Sequence, residues 1–266
     1  MIHFIIPTLG RCDNQITLSN IPASLRKQVT LVVQEHEYDY MLNKYGNESH
    51  VWKLPSGTKG IAWTRKHISD HWKGKRIFVM DDDLKFMKLD EELKGKVATE
   101  EQFHEMVSQV EKFMDDGFVH GSLQTHNTPP SEKPYSYNSR MYTNVFYSDK
   151  FDPDMVDWGT DYEMMPEDFH VNLQLLISGY QNVVFNHFRV NTAATSTKGG
   201  CETYRTLEVH NRSQEILAEI YPELVEVYEK EQKTGPWKGL KKKAVKIKWK
   251  KAYESSKATN LEEFFG

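Results

Sequence analysis

The run Arg76-Ile77-Phe78-Val79-Met80-Asp81-Asp82-Asp83 decides how the chain is read. Four apolar residues in succession predict a short strand buried on both faces, as in the middle of a parallel sheet. That strand delivers three carboxylates to its end. Such groups repel one another unless a cation or hydrogen-bond donors neutralise them. Oxygen ligands in this arrangement suit a hard divalent ion, Mg²⁺ or Mn²⁺, which keeps room for substrate phosphates. The competing reading is an acidic turn or helix cap, where Asp is common.

Upstream, Ile2–Pro7 predicts a first strand, ended by Pro7-Thr8-Leu9-Gly10-Arg11, and Val29–Gln34 a second. Lys59–Trp72 has helical spacing and carries Gly60-Ile61-Ala62-Trp63-Thr64-Arg65-Lys66. Arg65 or Lys66 suits a nucleotide diphosphate, or a surface salt bridge. Downstream, Thr99-Glu100-Glu101-Gln102 has the pattern of a capping box. It opens a helix whose apolar face is Phe103, Met106, Val107, Val110, Phe113 and Met114. Val119–Gln124 and Met141–Tyr147 predict strands separated by a loop over Thr125–Asn138. Pro166-Glu167-Asp168 starts another helix, stopped by Gly179, and Val183–Val190 predicts a last strand. Residues 206–233 have a helical pattern. Strands alternating with helices predict an α/β fold with a largely parallel sheet flanked by helices. Ligands then bind beyond the carboxyl ends of strands, at Thr8–Arg11, at Asp81–Asp83 and at Asn144–Tyr147.

Composition narrows the class. With 38% hydrophobic and 12% aromatic residues in 266, the chain has enough apolar surface to build a core and is not disordered. No apolar run reaches the roughly 18–20 residues of a bilayer span. Met1-Ile2-His3-Phe4 has no basic n-region, so no signal peptide is expected. Cys12 and Cys201 cannot form a disulfide framework. A cytoplasmic protein is the expectation. The net charge of −4 conceals an asymmetry: eight lysines and no acid in residues 235–251, leaving −10 on residues 1–234. Trp237 and Trp249 lie in that basic segment. Lysines interleaved with aromatics neutralise phosphates and stack on bases, which nominates Lys241, Lys242, Lys243, Lys246, Lys248 and Lys250 for nucleic acid. A solvated face packed on the body, or an anionic membrane surface, are the alternatives.

The order of these motifs resembles the GT-A fold of nucleotide-sugar glycosyltransferases: Pro-Thr-x-Gly-Arg after the first strand, Gly-Ile-Ala-x-x-Arg, a strand ending in Asp-Asp-Asp, then Glu-Asp opening a helix. The likeness spans roughly residues 2–200 and implies a Rossmann-like catalytic domain over 1–205. A helical extension with the basic segment would follow over 206–266. It implies a metal-dependent hexosyltransferase using a nucleotide sugar, most simply a UDP-sugar. In that family the Asp-x-Asp strand end binds metal and ribose-diphosphate. Asp81 would then face the ribose, Asp83 with Asp81 would ligate Mn²⁺ or Mg²⁺, and Asp82 would join the donor site. Asp168 is similar to the catalytic base of inverting members, with Glu167 beside it. Thr8 and Arg11 would flank base and ribose, and Arg65 the diphosphate. His187 would complete the metal site, while the loop Lys198-Gly199-Gly200 would close over the diphosphate through ammonium and N–H groups.

Within this group the chain is most similar to the phage-type TET/JBP-associated enzymes, which glycosylate hydroxymethylated pyrimidines in DNA. Three other readings stand beside it: a glycan or protein acceptor, a nucleotidyltransferase, and a nucleic-acid-binding protein without catalysis.

Overall fold

The computed structural model describes residues 1–192, 199–200, 205–233, 235 and 237–265. In chain order its elements are β1 (His3–Pro7), α1 (Ile16–Asn20), β2 (Val29–Val33), α2 (Tyr38–Tyr45), β3 (His50–Lys53), α3 (Gly60–His71), β4 (Ile77–Met80), β5 (Leu84–Leu89), β6 (Gly95–Val97), α4 (Glu100–Asp115), β7 (His120–Thr125), β8 (Tyr135–Tyr137), β9 (Asn144–Tyr147), α5 (Glu167–Ile177), β10 (Asn182–Thr192), α6 (Leu207–Ile220), β11 (Val225–Glu231), β12 (Lys241–Ile247) and α7 (Trp249–Phe265).

β2 and β4 are buried at every position because both faces of the sheet are covered. Alternation sorts their side chains into two layers. Phe4, Ile6, Leu31, Val33, Phe78 and Met80 pack against α1, α2 and the apolar face of α4. Ile5, Val32, Ile77 and Val79 point the other way, toward Ile68 of α3 and Val171 and Leu175 of α5. α4 begins with the capping box foreseen: Thr99 Oγ1 accepts from the Gln102 N–H at 3.2 Å, and Gln102 Oε1 accepts from the Thr99 N–H at 3.0 Å.

The main sheet runs β3-β2-β1-β4-β9-β7-β10-β5-β6, with β8 paired to β10. It is α/β and layered as expected, but mixed rather than largely parallel, with antiparallel pairings at least as frequent as parallel ones. β3, β2, β1 and β4 are mutually parallel; β9 then enters antiparallel to both β4 and β7.

The C-terminal extension contains more than helix. α6 ends at Ile220, and Tyr221-Pro222 leads into an antiparallel hairpin of β11 and β12. The helical reading of 206–233 is corrected there: Val225-Glu226-Val227-Tyr228 alternates with a period of two, so one edge seals the core while the other faces out. A third apolar cluster, with Leu173, Leu176, Leu217, Val225 and Ala252, joins α5 to α6, the hairpin and α7.

Candidate active site

β1 lies between β2 and β4, so the chain leaves it on opposite sides and opens a crevice at the carboxyl ends of β1 and β4. A cleft of about 700 Å³ occupies that position. The segments after the two strands are tied together at its floor. Thr8 Oγ1 donates to Asp82 Oδ2 at 2.7 Å, and Gln15 Nε2 donates to Thr8 Oγ1 at 2.9 Å. Arg11 pairs with Asp82 and reaches Asp83 Oδ2 at 3.3 Å. Thr8 and Asp82 therefore border the cleft but spend their polar atoms on each other and on Arg11; Asp82 is only 5% exposed. At the edge of the cleft they fix the two strand ends relative to each other.

Asp81 and Asp83 open onto the cleft, with 35% and 17% of their side chains exposed. Burial pushes both carboxyls up, Asp81 to about 7 against the pull of Arg65, with the neighbouring acids adding to the rise. The Asp81 N–H donates to the carbonyl of Thr143 at 2.9 Å. Thr143 adopts φ +66°, a left-handed conformation costly for a β-branched residue. Thr17 Oγ1 donates to the Asp81 carbonyl at 2.5 Å and accepts from the Leu84 N–H at 2.8 Å, fixing the turn after β4.

Arg65 of α3 is buried, and its guanidinium joins the two acidic segments: NH2 lies 3.0 Å from Asp81 Oδ1, and Nε lies 3.1 Å from Glu167 Oε1. It is a buried cation shared by two acids, not a surface one. Glu167 is its buried counter-ion, whereas Asp168 faces the same cleft with Oδ1 accepting its own helix's Phe169 N–H at 2.9 Å. Burial raises the proton affinity of both acids; Arg65 opposes this for each, and Arg140 and Arg205 oppose it for Asp168.

Other expected residues are placed differently. Gly199 and Gly200 do reach the cleft, but they pack on the segment after β1. A Cβ on Gly199, at φ +115°, would stand 2.7 Å from Arg11 Cγ, and the Gly200 N–H donates to the Leu9 carbonyl at 2.7 Å. Gly200 thus pins a loop rather than offering that N–H to a phosphate. Lys198 lies outside the described residues. His187 is not brought to the acids: it sits where the β10 register shifts, its Nε2 3.1 Å from the Ser131 carbonyl. A part in a metal site with Asp81 and Asp83 is corrected accordingly.

The nominated lysines divide. Lys241 and Lys243 pair with Glu229 and Glu215, and Lys248 Nζ donates to the Glu223 carbonyl at 3.2 Å. Lys246 and Lys250 are exposed, and Lys242 lines the cleft.

Arg140, Tyr142, Arg205, Tyr228 and Lys230 also line the cleft, unforeseen. Arg140 lies over the Tyr142 ring at 4.0 Å and 5.3 Å from that of Phe169. No sequence signal singles these residues out. They come from a polar loop, the approach to α6 and an acidic-looking strand. Among the described residues no helix is long and apolar enough to cross a membrane. None of their His, Cys, Asp and Glu side chains form a ready group of three for a metal. The donor chemistry of Asp81 and Asp83 still fits a hard cation, since both are carboxylates with raised proton affinity at an open edge.

The model of one family, TET-Associated Glycosyltransferase, matches residues 2–201. The beta-glucosyl-HMC-alpha-glucosyl-transferase of Enterobacteria phage T6 is 31% identical over 84% of this chain and 82% of its own length. The protein of the same name from Enterobacteria phage T2 is 30% identical with the same coverage. Among solved structures, S. aureus TarS 1-349 in complex with UDP-GlcNAc is more distant, with 13% identity and TM-score 0.48 over 82% of this chain and 66% of that chain.

Proposed function

Because the chain belongs to the TET-associated glycosyltransferase family, and is thereby a glycosyltransferase, we propose that it moves a sugar from a UDP-sugar to a hydroxymethylated pyrimidine in DNA. The observation that carries the reading is one cleft in which the strand-end acids Asp81 and Asp83 share a buried arginine with the helix-start acids Glu167 and Asp168. The nucleotidyltransferase and non-catalytic readings fall with the family assignment. The same reading puts the enzyme in the cytoplasm of an infected host.

Each group then has a task. Asp83 and Asp81 would hold a divalent ion, Mn²⁺ or Mg²⁺, whose chemistry when bound is Lewis-acid stabilisation of a departing diphosphate. Arg65 and Glu167 fix Asp81 and the first turn of α5 relative to each other. Asp168, with its raised proton affinity, takes the proton of the attacking acceptor hydroxyl, a general-base role. A single displacement opposite the leaving diphosphate inverts the anomeric carbon.

The test is incubation with a panel of UDP-sugars and DNA carrying unmodified, hydroxymethylated or already glucosylated hydroxymethylated pyrimidines, followed by mass analysis of the digested nucleosides. A hexose gain confined to modified nucleosides is expected. Donor turnover without a gain on any nucleoside would move the acceptor to a glycan or protein.

A further inference from the structure

Of the four charged rungs of the hairpin of β11 and β12, three pair opposite signs and one does not. Glu226 stands opposite Lys246, Glu229 opposite Lys243 and Glu231 opposite Lys241, each an opposite-sign pair. Lys230 stands opposite Lys242. Like charges directly across an antiparallel pair are destabilising, so this register is unfavourable in the hairpin taken alone.

Both lysines line the cleft, together with Arg205, which leads into α6, and Arg140, which precedes β9. Among the described residues none of these four cations has a carboxylate within ion-pair distance, and the buried Arg205 Nε has no hydrogen-bond partner. Three of them influence one another. Burial pushes the Lys242 ammonium down, and Arg205 and Lys230 push it further. His210 of α6 is held down to about 4 by burial and then by Lys242, aided by Arg205 and Lys230, so its ring adds no charge. Trp237 packs beside both, 5.2 Å from Lys242 and 5.7 Å from His210. Tyr228, 45% exposed on the same strand face as Lys230, has only Ala244 opposite it and presents an open ring.

Concentrated, unpaired positive charge in a concave site calls for a multivalent anion. We propose that Arg140, Arg205, Lys230 and Lys242 form a phosphate site on the Asp168 side of the cleft, which takes a backbone phosphate of the acceptor strand beside the target nucleotide. This rests on the DNA reading above. The other source of the same chemistry is the donor diphosphate. Arg65 is shared between Asp168 and Asp81, but Arg140 and Arg205 act on Asp168 alone of these acids, while the acids at the far strand ends draw on Arg11 and Arg65. That division favours the acceptor.

Lys230→Glu is the decisive variant, because it turns the discordant rung into an opposite-sign pair. Full-length parent and variant are compared for thermal melting, for binding of a fluorescently labelled hydroxymethylated duplex across a salt series, and for UDP binding. The variant is expected to melt no lower than the parent, yet to bind the duplex about tenfold more weakly with a salt slope smaller by about 1. Arg205→Ala, on another element, is expected to weaken the duplex in the same direction should Lys230→Glu fail to fold. Duplex affinity equal to the parent's in both variants overturns the site. A loss confined to UDP assigns the phosphate to the donor and overturns the acceptor placement. Transfer by the parent reports on the DNA reading itself: with no transfer but Lys230-dependent duplex binding, that reading fails and the phosphate site stands.

Discussion

Glu167 and Asp168 are neighbours in one helical turn, but only Glu167 is tied to Arg65 by an ion pair. Breaking a buried pair costs about 3–5 kcal/mol when the partner is left alone, and removing Glu167 leaves Arg65 with Asp81 only, so the cost falls at or below the lower end of that range. Glu167→Gln should therefore lower the urea midpoint markedly. Asp168→Asn should leave it nearly unchanged, keep UDP-sugar binding, and cut transfer by about 10³-fold. Transfer at parental rate by Asp168→Asn would remove it as the base. A third buried group makes stability depend on acidity. His120 is fully buried, its Nε2 3.1 Å from Asn172 Oδ1, and burial lowers it to about 4 from the ordinary 6.5. Between those values only the unfolded chain takes up the proton. The stability present above about pH 6.5 is therefore lost as pH falls toward 4, by about 3 kcal/mol in full. Urea unfolding at pH 7 and pH 5 should show a larger drop in the parent than in His120→Gln. At this scale the acids were readable because three stand in a row and two open a helix. Arg140, Arg205 and Lys230 were not, since only folding brings separate loops and a late strand to one cleft. The inward turn of Thr8 and Asp82 was equally hidden, because it depends on which of several donors each carboxylate meets.

Elements with a single dominant period were read well. β2 and β4 are apolar throughout, and α4 combines a 3.6-residue face with its capping box. Thr99→Ala should cost about 1 kcal/mol in denaturant unfolding and leave the acceptor KM unchanged, as α4 lines no part of the cleft. Short elements were lost for a physical reason. β3, β6 and β8 have three or four residues and, unlike β4, no unbroken apolar run to stand in for a period, and they exist because a neighbouring strand supplies their hydrogen bonds. β11 reads in sequence as a continuation of the helix before it, because Val, Glu and Tyr at short range satisfy both periods. Only the turn at Tyr221-Pro222 and the partner strand β12 decide between them.

Across the whole molecule, α5 is held from two sides: Val171 and Leu175 face the sheet, while Leu173 and Leu176 face the C-terminal cluster. Trp249 meets the Phe169 ring at 5.6 Å in an edge-on contact one residue from Asp168. Trp249→Ala should lower the melting midpoint by about 4–8 °C, for a loss of about 2 kcal/mol. It should also reduce kcat well below that temperature, because the turn bearing Asp168 loses its outer support. An unaltered kcat would show that the sheet side alone positions the base. The excess of lysine in residues 235–251 was legible as a sum, but not which lysines are neutralised; that depends on the pairing register of the hairpin.

The backing of α5 by α6, the hairpin and α7 also bears on the order of synthesis. A ribosome delivers the whole ten-stranded sheet before residues 207–256, and so releases a nascent chain with every strand-end acid but with Leu173 and Leu176 still bare. Catalytic competence would arrive in one late step, and until then that uncovered stripe is the part of the young protein that most needs a chaperone.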